Sequence, residues 1–243
     1  MSNKNKLIEN KIIKNIDFNQ INKWNVKFPI DKTKRVNFSS MMIAPRRSGK
    51  TFFINWLLHN PLKNKFDMIF IFTTSNGVIE YKEMKIPLKH VNYYSKFVPE
   101  IVKTVSSINA KNKEENKPPA NILMIFDDSC SRSEKWDGEI LDLYTKGRHF
   151  NISVIYSVQT ATLVDNIWKE NSDLIFIFKP RMPKQRNYIV ENLMSGLIDK
   201  DFDKVSEERL FYMNLMKKIT NVEHQMMVIN MEMQKLMWFR VGT

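Results

Sequence analysis

The chain has 243 residues, 43% hydrophobic and 26% charged, with a formal net charge of +12; a chain of this length can form one large domain with a sizeable core and needs no covalent staples. Its one cysteine, Cys130, excludes an intrachain disulfide and fits a reducing compartment, and no apolar run approaches the roughly 20 residues of a membrane span. The positive excess favours anionic partners such as nucleic acid or a membrane surface, although a solvated face rich in Lys and Asn explains it equally well.

Residues 1–35 are polar and weakly periodic, and their start, "MSNKNKLIENKIIKN", lacks the continuous apolar core of a secretory signal. They read as a basic N-terminal arm with a short strand near "KWNVKF". From Val36 the pattern changes to that of one folded domain, 36–243. "VNFSSMMIA" is a short buried strand bounded by turn chemistry. "TFFINWLLHN" follows with Phe52, Phe53, Trp56 and Leu57 at helical spacing, ended by Pro61. "DMIFIFTT" is a second strand, "SKFVPEIVKTVSSI" an amphipathic helix, and "NAKNKEENKPPAN" a charged connection. "ILMIFDDS" is a third strand. "EKWDGEILDLYTKG" is a helix with Trp136, Ile140 and Tyr144 on one face and Gly147 at its C-terminal turn. "NISVIYSVQ" and "DLIFIF" are further strands, "PKQRNYIVENLMSGLI" is helical, and "HQMMVINM" and "KLMWFRV" close the chain as two strands. Apolar strands alternating with helices predict an α/β fold with a mostly parallel central sheet flanked by helices.

The chemistry starts in the first strand-to-helix turn. "APRRSGKT" matches a phosphate-binding loop, with Ala44 where the full pattern has glycine, and it stands between a strand and a helix as that motif requires. Arg46, Arg47, Ser48, Gly49, Lys50 and Thr51 are the candidate nucleotide-binding residues. Backbone N–H groups would cradle phosphates, with glycine at position 49 for close approach. Lys50 would reach the β and γ oxygens, and the Thr51 hydroxyl would ligate Mg²⁺. "ILMIFDDS" ends a buried strand in two acids. Asp127 is the candidate Mg²⁺ carboxylate, and Asp128 the group that orients or deprotonates the attacking water. Gln159, at the end of "VIYSVQ", can bond both the γ-phosphate and that water. Arg148, in "KGRHF", could act across a subunit boundary, although on spacing alone a surface arginine is the simpler reading. His90, His149, His224 and Cys130 lack metal-ligand spacing and read as structural; the Met-rich tail reads as packing.

In this order, strand–"APRRSGKT"–helix, "ILMIFDD" and "GRHFNISVIYSVQ" resemble the FtsK–HerA superfamily of P-loop ATPases, and are most similar to the poxvirus-type genome-packaging ATPases of large DNA viruses and virophages, over roughly residues 36–195. The resemblance implies a P-loop NTPase of the additional-strand type, in which the Gln159 strand lies between the strands bearing Lys50 and Asp127. It implies ATP and Mg²⁺ as cofactors, a homo-oligomeric ring, expected to be hexameric, and double-stranded DNA driven into a preformed capsid. Arg148 matches the family's arginine acting in trans; Arg181 and Arg186 are weaker candidates. A capsid or portal protein would be a partner, no membrane is involved, and the place of action would be the viral assembly site in the host cytoplasm, or the virion. The competing expectations are another motor of this superfamily, for conjugation or chromosome processing, and a non-catalytic DNA-binding virion protein.

Overall fold

The computed structural model describes residues 21–31, 34–88, 90–128, 138–163, 166–198 and 202–242. These build one sheet of eight strands: β1 Ser39–Ile43, β2 Met68–Phe72, β3 Val91–Tyr94, β4 Ile122–Asp127, β5 Ile152–Val158, β6 Leu174–Ile177, β7 Gln225–Asn230 and β8 Lys235–Arg240, in the order β3-β2-β4-β5-β1-β6-β7-β8. The strands from β3 to β6 run parallel, and β7 and β8 return antiparallel at one edge. The helices are α1 Lys50–His59, α2 Ser75–Glu83, α3 Pro99–Glu114, α4 Gly138–Lys146, α5 Asn166–Glu170, α6 Pro183–Ile189 and α7 Val205–Thr220.

Parallel strands covered on both faces must be apolar on both. Every residue of β1, β4, β5 and β6 is buried. Alternate side chains feed two cores. One, containing Met41, Ile43, Met124, Phe126 and Tyr156, meets α3, α4 and α7. The other, containing Met42, Leu123, Ile125 and Ile155, meets α1 and α2. Strand β5 lies between β1 and β4, with Val158 opposite Ile43 on one side and Ser157 opposite Asp127 on the other. This is the additional-strand order that the family resemblance implies.

The structure departs from the sequence reading at several elements. Strand β3 and helix α2 occupy "VNYY" and "SNGVIEYKE", which carry no assignment in the sequence. Helix α3 continues through Lys111 and Lys113 to Glu114, into a stretch that reads as a connection. Helix α7 fills a region with no predicted element. Trp136 and Cys130 lie outside the described residues, while Ile140 and Tyr144 of α4 are both buried. Gly147 opens a 3-10 turn, Gly147–Phe150, that leads into β5.

Residues 21–31 of the expected arm lie on the sheet. The Trp24 N–H donates to the Trp238 carbonyl at 2.8 Å, and the Trp238 N–H to Asn22 at 3.2 Å. The Trp24 ring is 2% exposed and meets Phe28, Phe176 and Phe239 edge-on.

Candidate functional site

Strand β1 delivers the chain to its C-terminal end, where the Ala44 N–H bonds the Val158 carbonyl at 2.8 Å. Ala44 is fully buried, so a small residue suits this place. The loop then turns sharply through two left-handed residues, Arg47 at φ 57° and Gly49 at φ 88°. An L-residue at Gly49 would be strained by that backbone, which is a requirement additional to close phosphate approach. Helix α1 begins at Lys50, so its first N–H groups and the positive end of its dipole face the loop, as an anion site needs. The Ser48 hydroxyl oxygen is buried without a protein partner, and so is that of Ser157 at the end of β5. Buried hydroxyls are ordinarily bonded, so both mark a place suited to an external polar group.

Lys50 is 7% exposed, and its ammonium lies 2.8 Å from Asp127 Oδ1 and 2.7 Å from Asp128 Oδ2. One buried cation thus serves two carboxylates brought from 77 and 78 residues away by the pairing of β4 with β5 and of β5 with β1. Asp128 follows the end of β4 in a left-handed conformation, at φ 51°. The other Asp127 oxygen accepts a hydrogen bond from the Tyr81 hydroxyl at 3.0 Å. Burial first, and then the negative charge of Asp127, push the Tyr81 hydroxyl well above its ordinary value, so it remains a neutral donor. Gln159, half-buried, follows Val158 directly and therefore stands between the phosphate loop and the paired acids. Thr51 follows Lys50 on the first turn of α1, which makes its hydroxyl the loop's candidate ligand for a cation. Hard oxygen donors of this kind, a hydroxyl and a carboxylate, suit Mg²⁺ bound together with a phosphate. The structure thus brings Arg46, Arg47, Ser48, Gly49, Lys50, Thr51, Asp127, Asp128 and Gln159 to the C-terminal ends of the central parallel strands.

Arg148 is not among them. It lies in the turn that enters β5, at the N-terminal ends of the strands, a full strand away. There its guanidinium pairs with Asp173 Oδ1 at 3.2 Å, while Asp173 Oδ2 accepts the Ser39 N–H at 2.7 Å. Burial raises the Asp173 carboxyl, and the Ser39 N–H and Arg148 act against that rise. Within one chain Arg148 cannot reach the phosphate loop. Arg181 and Arg186, the weaker candidates for an interface arginine, lie instead at the phosphate-loop end. Arg181 donates to the Arg46 carbonyl and braces the loop. Both line a cleft of about 630 Å³ together with Gly49, Phe178, Asn221 and His224. The ring of His224 packs on Phe52, with centroids 4.5 Å apart. His224 and Tyr81 belong to no motif; the fold alone brings His224 to the loop and Tyr81 to Asp127.

Among the described residues no helix is long and apolar enough to cross a membrane, and no group of three or more His, Cys, Asp or Glu could by itself hold a metal ion.

A family model described as "Poxvirus A32 protein" matches residues 25–233. No curated protein matches the chain. Among solved structures, the genome packaging NTPase B204 from Sulfolobus turreted icosahedral virus 2, in complex with AMPPCP, superposes with a TM-score of 0.57 at 16% identity, covering 83% of this chain and 96% of that one. The DNA-packaging ATPase B204 from Sulfolobus turreted icosahedral virus gives 0.57 at 17% identity with the same coverage. The monomer form of the pCW3 conjugation coupling protein TcpA, with ATPγS, gives 0.56 at 12% identity, covering 92% of this chain and 70% of that one. At these identities the likeness establishes a shared fold.

Proposed function

This chain belongs to the Poxvirus A32 protein family, and from that premise we propose that it is the ATPase that drives double-stranded viral DNA into a preformed capsid. The observation that carries the reading is the buried Lys50 bridging Asp127 and Asp128 at the mouth of a phosphate loop. A lysine at the start of α1 is held there by the two acids that hydrolysis needs.

Lys50 bridges both acids and offsets one of their two negative charges. A triphosphate in the loop offers it a stronger anionic partner, so Lys50 moves to the β and γ oxygens and frees the carboxylates. Asp127 and the Thr51 hydroxyl would then hold Mg²⁺, which supplies neutralisation of phosphate charge. Asp128 positions the attacking water and takes up its proton, and Gln159 bonds that water and the γ-phosphate. Backbone N–H groups between Arg47 and Lys50 would cradle the phosphates. Arg148 completes the site of a neighbouring subunit in a homo-oligomeric ring, expected to be hexameric. Its position at the N-terminal ends of the strands, opposite the phosphate loop, suits head-to-tail contact, in which one subunit's loop end faces its neighbour's other end. A capsid or portal protein would anchor the ring at the assembly site in the host cytoplasm or in the virion.

A motor that threads a whole genome must grip DNA without reading bases. The +12 charge predicts binding to duplex DNA that is independent of sequence and falls with salt at a slope of about −0.9 per phosphate contact. Fluorescence anisotropy over a salt series tests this. A strong preference for one short sequence, or affinity indifferent to salt, contradicts the proposal.

A further inference from the structure

We infer that Tyr81 is a positioning residue that fixes the Asp127 carboxylate for its divalent cation. The inference rests on the reading of Asp127 as the Mg²⁺ carboxylate. Asp127 is 4% exposed, and its two oxygens have different partners: Lys50 takes Oδ1 at 2.8 Å and the Tyr81 hydroxyl takes Oδ2 at 3.0 Å. The two partners differ in kind. Lys50 is a mobile charge that a triphosphate draws away. Tyr81 is a neutral phenol, 0% exposed and enclosed in the core with Ile71, Leu123 and Ile125. A neutral donor holds one oxygen in place without cancelling the negative charge that a cation needs. When Lys50 leaves, the phenol still aims the carboxylate, and Oδ1 is released toward the loop. Fixing a ligand through its second oxygen in this way is how outer partners tune metal sites.

The sequence builds this contact with some care. Helix α2 starts at the end of β2, capped by the Thr74 hydroxyl, which accepts the Gly77 N–H at 3.2 Å. Gly77 lies so close to the strand end that a Cβ there would stand 2.3 Å from Thr73 Oγ1. All of the close approach is to the Thr73 side chain, just past β2, which any larger residue at position 77 would have to displace. Tyr81 follows four residues later on the same helix face, which carries its hydroxyl down to the end of the neighbouring strand β4.

The test uses the full chain and a fluorescent ATP analogue, titrated with MgCl₂ and, separately, in EDTA. Tyr81→Phe keeps the ring and removes the hydroxyl. It should leave analogue affinity in EDTA unchanged and raise the half-saturating Mg²⁺ concentration by about tenfold or more. In an Asp127→Asn background the same change should add no further shift. Equal losses with and without Mg²⁺, an unchanged Mg²⁺ response, or a shift that persists in the Asp127→Asn background overturns the inference. Gly77→Ala keeps the phenol and crowds the Thr73 side chain against α2, so it should weaken the Mg²⁺ response in the same direction; a wild-type response in folded Gly77→Ala also counts against it. A wild-type chain whose analogue affinity ignores Mg²⁺ altogether overturns the underlying reading of Asp127 and this inference with it.

Discussion

Arg148→Ala removes a charge that, within one chain, stands at the wrong end of the sheet. The seven residues of β5 separate the Arg148 turn from Gln159; at about 3.3 Å per residue that is roughly 23 Å, several times the length of the side chain. Its own ion pair with Asp173 is half-exposed on the arginine side, at 47%, but buried on the acid side, at 9%, so its loss leaves a buried carboxylate less compensated and should cost on the order of 1 kcal/mol, short of unfolding the domain. The variant should therefore fold, form rings and bind ATP as the wild type does. If the arginine serves the neighbour's γ-phosphate, turnover should fall on the order of 10³-fold, or about 4 kcal/mol of barrier. The assay is steady-state ATPase on rings of verified composition, with Arg148→Ala and Lys50→Ala mixed in equal amounts. Each variant alone should be nearly silent, because Lys50→Ala lacks the cation for the β and γ phosphates. In a head-to-tail ring a site draws its loop from one subunit and its arginine from the next. Half the loops and half the arginines are sound, so about one quarter of the sites are complete, and activity should recover toward that fraction. Mixed rings that stay silent, or Arg148→Ala alone hydrolysing at the wild-type rate, refute the trans assignment and move attention to Arg181 and Arg186.

Asp128→Asn should keep ATP affinity while kcat collapses, because a water-positioning carboxylate acts mainly in the transition state; a large loss of affinity with turnover retained would exchange the roles of Asp127 and Asp128. The Arg148–Asp173 pair predicts a pH effect of definite sign. Burial already raises the Asp173 carboxyl above its ordinary value, and Arg148 is one of the groups acting against that rise. Without Arg148 the folded-state value climbs further above the unfolded one. The stability lost in Arg148→Ala should therefore be greatest where Asp173 is ionised and vanish as falling pH protonates it. Urea melts of the two proteins from neutral pH into the carboxylate range check this, and a difference that grows on acidification contradicts it.

The parts of this fold legible in the sequence are those whose burial is unmixed. Strands β1, β4, β5 and β6 are buried on both faces, so "SSMMI", "ILMIFD", "ISVIYSV" and "LIFI" stand out as apolar runs. Strand β3 is only half-buried at all four positions, and "VNYY" therefore carries too weak a signal. Helix α2 is short and has Gly77 and two β-branched residues in its middle, so propensity argues against it; its cap and its fit against Thr73 hold it instead. The last turns of α3 are charged because they face solvent, and charge there resembles a connection. At the site, the loop, the two acids and Gln159 were legible because each ends a strand, and parallel strand ends gather on one side. The contacts among them were not. Lys50 between two aspartates, Tyr81 on Asp127 and His224 on Phe52 all join residues remote in sequence. Arg148's place at the far end follows only once β5 is known to run parallel to β1.

Steady-state ATPase of the assembled wild-type chain, with and without long duplex DNA of arbitrary sequence, tests whether hydrolysis at Lys50, Asp127 and Asp128 drives DNA movement. Turnover should rise with duplex DNA and be abolished by Lys50→Ala. Hydrolysis indifferent to duplex DNA, or turnover that survives in Lys50→Ala, would contradict this.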